Sequence, residues 1–234
     1  MTLAWAIIGF GLGGLVCYLA DVLPTQRRLA KPVWLPFSFA KFFDYLKLPR
    51  NAAVLFLLTL LAVLLFVFPV NAFPGYQLLL VGAYFALVIV IDIEHRLVLH
   101  MVSLGGALLL GAIGQQWVGL TRVLLGGAAG FGVMLALYLL GDWLGRLLAR
   151  LRGRAWQDTA LGFGDVTISG VIGVLLGWPS VLSALFFGVL FAGAFSLLYL
   201  IWAMAQRSYT PMMSFAYAPF LCLGAMTTIV LAIF

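Results

Sequence analysis

The chain has 234 residues, 65% of them apolar and only 9% charged, with a mean hydropathy of +1.18 and a formal net charge of +6. Soluble domains average about 45–50% apolar and about 25% charged residues, so an ordinary water-soluble fold is excluded and the bilayer is the solvent. A hydrocarbon layer about 30 Å thick is crossed by about 20 helical residues, which leaves room for about seven to nine spans in a single integral-membrane domain, 1–234.

The first apolar run, 3–23, has no basic n-region and no small-residue cleavage site, and is expected to be a retained span and not a signal peptide. Cys17 lies in it and Cys222 lies in the last apolar run, neither with a partner at metal-ligand spacing. Neither a zinc module nor a disulfide framework is therefore supported. Residues 24–51 form a short basic and aromatic cytoplasmic loop. Within it Phe39, Phe42, Phe43 and Leu46 recur at helical spacing while Lys41, Asp44 and Lys47 face away, which predicts a short helix lying in the interface. Such a loop is drawn to anionic headgroups at roughly 1 kcal/mol per basic side chain, so the net charge requires no nucleic acid.

Further spans are expected at 52–70, 76–93, 99–118 and 121–144. The fifth span is expected to continue as a cytoplasmic amphipathic helix, with Leu144, Leu147, Leu148 and Leu151 on one face and Arg146 and Arg150 on another, until Gly153 stops it. The sixth, 161–177, is short and ends at Trp178-Pro179, as a tilted or partly re-entrant element lining a wet cavity would. Spans at 181–205 and 213–233 complete an all-α polytopic bundle of about eight transmembrane helices. Small-residue rows such as Gly126 with Gly130, or Gly188 with Ala192, are expected chiefly as helix–helix contacts within it.

Positive charge orients the bundle. Of the 13 Lys and Arg, only Arg122 falls outside the first, third, fifth and seventh loops. Cytoplasmic loops carry the excess of positive charge, so both termini are expected to be non-cytoplasmic, with Asp92 and Asp165 at the cytoplasmic face.

An Asp at the centre of a membrane helix costs roughly 2.5–3.5 kcal/mol, which makes an acid beside an apolar run a functional candidate. Asp21, Asp44, Glu94, Asp142 and Asp158 lie near basic residues or in loops and are assigned no chemistry. Asp92 follows the apolar and aromatic run 83–91, where an ordinary role is to mark the water boundary. Asp165 precedes Val166-Thr167-Ile168, where an ordinary role is an N-cap. A cap does not explain Gly162 and Gly164, which remove side chains where backbone or substrate comes close or where φ is positive. Two carboxylates brought together in a poorly solvated site share a proton. One then serves as general base on water while the other donates to the scissile carbonyl and leaving amine. The serines offer no His dyad and are expected to bond across helices or to their own backbone. His95 and His100 lack metal-site spacing.

Ile91-Asp92-Ile93 with Leu97-Val98-Leu99-His100, then Gly162-Phe163-Gly164-Asp165, then the stretch Ala216-Tyr217-Ala218-Pro219-Phe220-Leu221-Cys222-Leu223-Gly224-Ala225, together resemble the type IV prepilin peptidases (prepilin leader peptidases) of the GxGD intramembrane aspartyl proteases. The resemblance spans residue 76 to the end and extends faintly to Gly13-Gly14 and Leu23-Pro24. It implies that Asp92 and Asp165 are the catalytic pair, with Gly162, Gly164 and Pro219 as backbone support and no metal. It further implies a bacterial inner-membrane protease whose substrates are single-span prepilins or pseudopilins of type IV pili and type II secretion, with no nucleic acid partner. The family's Ile-Pro-Asp ending is Val98-Leu99-His100 here, its Lys after the second Asp is Thr167, and its Pro-Phe-Gly is Ala216-Tyr217-Ala218. Many members also methylate the product with S-adenosylmethionine and carry Cys-x-x-Cys pairs in the first loop. This loop has no Cys, so cleavage without a cofactor is carried over and methylation is not. The alternatives are a non-catalytic relative acting as a pilus or secretion scaffold, and a membrane transporter, although no paired inverted halves are visible.

Overall fold

In lipid, a chain must satisfy its backbone N–H and C=O groups within itself, so apolar runs become helices. The computed structural model describes residues 1–25, 48–151, 162–206 and 216–233, and among them eight helices appear. They are α1 Thr2–Thr25, α2 Pro49–Val67, α3 Gly75–His95, α4 His100–Val118, α5 Leu120–Leu151, α6 Phe163–Leu176, α7 Ser180–Ala205 and α8 Ala218–Ile233. Six are long and apolar enough to cross a membrane, while α6 and α8 have 14 and 16 residues. The all-helical, polytopic architecture expected from hydropathy is the one found.

Several boundaries differ from expectation, each for a local reason. Helix α2 starts at Pro49 and not at 52, because proline's missing N–H costs nothing in a first turn. It ends at Val67, so 68–70 are not helical. Helix α6 stops at Leu176, where Gly177 takes φ +70, a left-handed conformation that suits glycine. Helix α8 begins only at Ala218, since the Tyr217 carbonyl accepts the N–H groups of Phe220 (3.1 Å) and Leu221 (3.4 Å) and residues 216–217 stay outside the helix. Pro219 therefore sits in a first turn, the one place where a helix tolerates it. The expected extension of the fifth span is present: α5 runs unbroken to Leu151, with Leu144, Leu147 and Leu151 exposed and Arg146 paired with Asp142 one turn earlier. The interfacial helix expected at 39–46, together with Gly153, Asp44 and Asp158, lies outside the described residues.

The described residues gather into two compact units, one ending at His95 and the other beginning at Arg96. In the first, α1 and α2 pack closely along Gly9, where a Cβ would fall 2.7 Å from both the Ala62 Cβ and the Leu58 carbonyl oxygen. Leu55, Leu58 and Ala62 of α2 are buried along this seam. Asp21 near the end of α1, Arg50 at the start of α2 and Glu94 at the end of α3 meet, so these three helices run up, down and up.

In the second unit α6 is the central element. Its small residues let two neighbours approach to backbone contact: Gly173 faces the Gly126 carbonyl of α5, Gly130 of α5 faces the Ser169 carbonyl, and Gly114 of α4 faces the carbonyls of Val174 and Leu175. Val166, Ile168, Ile172 and Leu175 of α6 are almost wholly buried as a result. Helices α7 and α8 meet in the same way, through Gly188 and Gly224. The glycine rows seen in the sequence are helix–helix contacts, as expected.

Candidate active site

Helix α3 carries Asp92 in its last turn. Phe85, Val88 and Asp92 fall at i, i+3 and i+7, so the carboxyl lies on the face that the apolar residues bury, and it is 5% exposed. Arg96 then adopts φ +51, a left-handed conformation that ends the helix just beyond His95. Asp92 is thus carried to the edge of a span without being released to water.

Asp165 is 7% exposed and lies in the first turn of α6. It is not the N-cap. Gly162 holds that position in extended conformation, and Asp165, three residues on, accepts the Gly162 N–H through Oδ2 at 3.3 Å. A negative charge there also complements the positive end of the helix dipole. Neither Gly162 nor Gly164 has a positive φ, so of the two reasons for the glycines only close approach applies. A Cβ on Gly162 would press on Asp165 Oδ2 from 3.3 Å, and one on Gly164 would fall 2.6 Å from the Val98 Cβ. Gly162 keeps the carboxylate uncrowded, and Gly164 lets the segment before α4 lie against the turn that bears it.

Hydroxyls then fasten that turn. Thr167 donates to the Gly164 carbonyl at 2.7 Å and Ser169 donates to the Asp165 carbonyl at 2.8 Å. Since the one hydroxyl hydrogen of Thr167 is committed, Ser103 of α4 is the donor in its 3.2 Å contact with Thr167. These are the cross-helix and own-backbone bonds expected of the serines. Thr167, where the family pattern has Lys, therefore ties α4 to α6. An open groove of about 490 Å³ adjoins it, lined at the polar end by His100, Ser103 and Thr167 and further along by Leu104, Phe131 and Val174.

Among the described residues, Asp92 and Asp165 are the two buried acids. Asp21, Glu94 and Asp142 are more exposed and are each paired with an arginine. Two features were not read from the sequence. Tyr217, just ahead of α8, is half-buried, and burial first, then the charge on Asp165, push its phenol up to about 12. The cluster around Arg50 is the other. Its only sequence signal is that the ends of the first and third spans and the start of the second share a side. No group of three or more His, Cys, Asp or Glu side chains among the described residues is placed to hold a metal ion.

Fold and site together define a polytopic, all-helical membrane protein with two acids buried at helix ends. Residues 78–197, just over half of the chain, match the type IV leader peptidase family, and the chain belongs to that family. The matched stretch contains both acids and the Gly162-Phe163-Gly164 frame, and ends before Pro219. Neither a curated protein nor a solved structure gives a significant match.

Proposed function

We propose that the chain is an intramembrane aspartyl endopeptidase that removes the short basic leader from prepilins or pseudopilins at the cytoplasmic face of a bacterial inner membrane. The observation that carries this reading is the burial of two acids, and of no others among the described residues, within the stretch that matches a peptidase family. Burying a carboxyl in a membrane bundle is costly enough to mark function. Chain connectivity adds support, since Val98, against which Gly164 packs, follows Asp92 by only six positions.

In this mechanism one carboxylate takes a proton from water as the water oxygen bonds to the scissile carbonyl carbon, and the other, protonated, gives its proton to the carbonyl oxygen. Collapse of the tetrahedral diol breaks the C–N bond: the proton held by the base passes to the leaving amine, and one diol hydroxyl returns its proton to the other carboxylate as the new carboxyl group forms. Gly162 and Gly164 hold Asp165 at its place, and Pro219 starts the helix behind Tyr217. The groove beside Thr167, polar at one end and apolar beyond, suits a substrate that changes from leader to apolar helix. Cleavage by this route uses no cofactor. Residues 24–51 lack the Cys-x-x-Cys pairs that many methylating members carry, so methylation of the product with S-adenosylmethionine is not carried over to this chain.

The test is leader removal from a co-expressed prepilin in membranes by wild type, Asp92→Asn and Asp165→Asn. Each substitution removes an acid–base group and is expected to slow cleavage by about 10²–10⁴-fold. Wild-type cleavage by both variants would refute the pair. Labelled S-adenosylmethionine in the same reaction is expected to leave the mature N-terminus unlabelled.

A further inference from the structure

Arg50 sits in the first turn of α2 and grips two other helices at once. Its Nη1 lies 2.9 and 2.8 Å from the two carboxylate oxygens of Glu94, and 2.8 Å from Asp21 Oδ1, while Nη2 donates to Asp21 Oδ2 at 3.0 Å. Nε donates to the side-chain oxygen of Asn51 at 2.7 Å. Asn51 is wholly buried, and the three charged side chains are only 24%, 14% and 34% exposed for Arg50, Asp21 and Glu94. The Arg50–Asp21 and Arg50–Asn51 contacts are part-buried, and the Arg50–Glu94 contact lies at the exposed side of the cluster. Asp21 and Glu94 both stand near C-terminal helix ends, where the dipole disfavours negative charge, so the guanidinium offsets an unfavourable placement at two helices together.

Glu94 is two residues beyond Asp92 in the same closing turn of α3. Terminal turns lack part of their hydrogen bonding and fray, and a frayed turn at this point would move the Asp92 carboxyl. We propose that Arg50 is a positioning residue: by holding Glu94 against α1 and α2 it keeps the last turn of α3 closed and the Asp92 carboxyl in place. The inference rests on the reading of Asp92 as catalytic for its effect on rate, and on geometry alone for the anchoring.

The experiment compares full-length wild type, Arg50→Gln, Arg50→Lys, Glu94→Gln and the Arg50→Gln/Glu94→Gln double variant in membranes, with Asp92→Asn alongside. Two readouts are taken: kcat and KM for prepilin cleavage, and hydrogen exchange of the backbone amides of residues 92–95. A displacement of about 1 Å at a reacting group costs up to about 10²-fold, so Arg50→Gln is expected to lower kcat by about 10- to 100-fold with KM little changed. Exchange at 92–95 is expected to be faster. Arg50→Lys, which keeps the charge and loses the fork, is expected to fall between. The double variant is expected to be no worse than Arg50→Gln alone, because the contact that Glu94→Gln breaks is one that Arg50→Gln has already broken.

Unchanged exchange at 92–95 in Arg50→Gln overturns the anchoring. Faster exchange with wild-type kcat, a change in KM alone, or multiplying losses in the double variant overturn the positioning role. Should Arg50→Gln not accumulate in membranes, Arg50→Lys carries the same comparisons. Wild-type cleavage by Asp92→Asn would fault the catalytic reading instead, and the exchange data would still decide whether Arg50 anchors the turn.

Discussion

Gly164→Ala tests the site by adding one methyl group next to Asp165. The new Cβ would lie 2.6 Å from the Val98 Cβ and 2.8 Å from its Cγ2, whereas real Cβ contacts essentially never fall below 3.0 Å and become ordinary from 3.4 Å. Val98 and the first turn of α6 must therefore separate by about 0.4 Å at the least, and by about 0.8 Å for a relaxed contact, as the differences between those distances require. The cost of overpacking, about 1–3 kcal/mol, is partly offset by about 0.4–1 kcal/mol gained when Gly becomes Ala at an unstrained position. Stability should fall by about 0–2.5 kcal/mol on that balance, or by at most about 10 °C at about 2–4 °C per kcal/mol for a chain of this length. Activity should fall further. A misplacement of about 1 Å costs up to about 10²-fold, so a shift of this size at Asp165 is expected to slow cleavage by about 10-fold or more. Adding Val98→Gly removes the opposing Cβ, leaves the Val98 nitrogen at 3.4 Å as the nearest atom, and is expected to restore part of the lost rate. Prepilin cleavage in membranes and thermal unfolding in detergent are the two measurements. Wild-type cleavage by Gly164→Ala, or no recovery in the double variant, would refute the argument that this contact sets the place of Asp165.

Gly173→Ala, at the seam of α5 and α6, would drive its methyl into the Gly126 carbonyl, which cannot rotate away. It is expected to destabilise by about 1–3 kcal/mol. Reaction of the buried Cys17 and Cys222 with a thiol dye on heating reads this out, and an unchanged midpoint would mean that the two helices are not in backbone contact. Tyr217 predicts a pH effect. Its phenol is pushed up to about 12 from the ordinary value of 10.0, so its contribution to stability is complete below pH 10 and is lost as the pH rises through 12. Wild type should therefore lose thermal stability over that window more steeply than Tyr217→Phe, and superimposable curves would exclude it.

Much of the helical layout was legible in advance, because lipid imposes a one-dimensional rule on the chain: apolar runs must close their own hydrogen bonds, and hydropathy alone locates them. The eight helices, the continuation of α5 to Leu151 and the shortness of α6 follow from that rule. Helix ends were less legible, since Pro49, Gly177 and the Tyr217 carbonyl act through local hydrogen bonding that a hydropathy window averages away. The N-cap role that is the ordinary alternative for Asp165 belongs to Gly162, and Asp165 lies three residues inside it. The close approach at Gly164 is to Val98, 66 positions earlier in the chain, and that partner was not readable from the sequence.

The sequence by itself determined the solvent, the helical class, the two acids set at the edges of apolar runs and the glycines that precede the second of them. Each depends on residue type along the chain. Only the tertiary structure decided that both acids are buried, that Thr167 joins α4 to α6, and that Arg50 binds partners 29 and 44 positions away, Asp21 and Glu94. The physical reason is that burial and charge pairing depend on which helix faces meet, and that is set by side chains far apart in the chain coming into register.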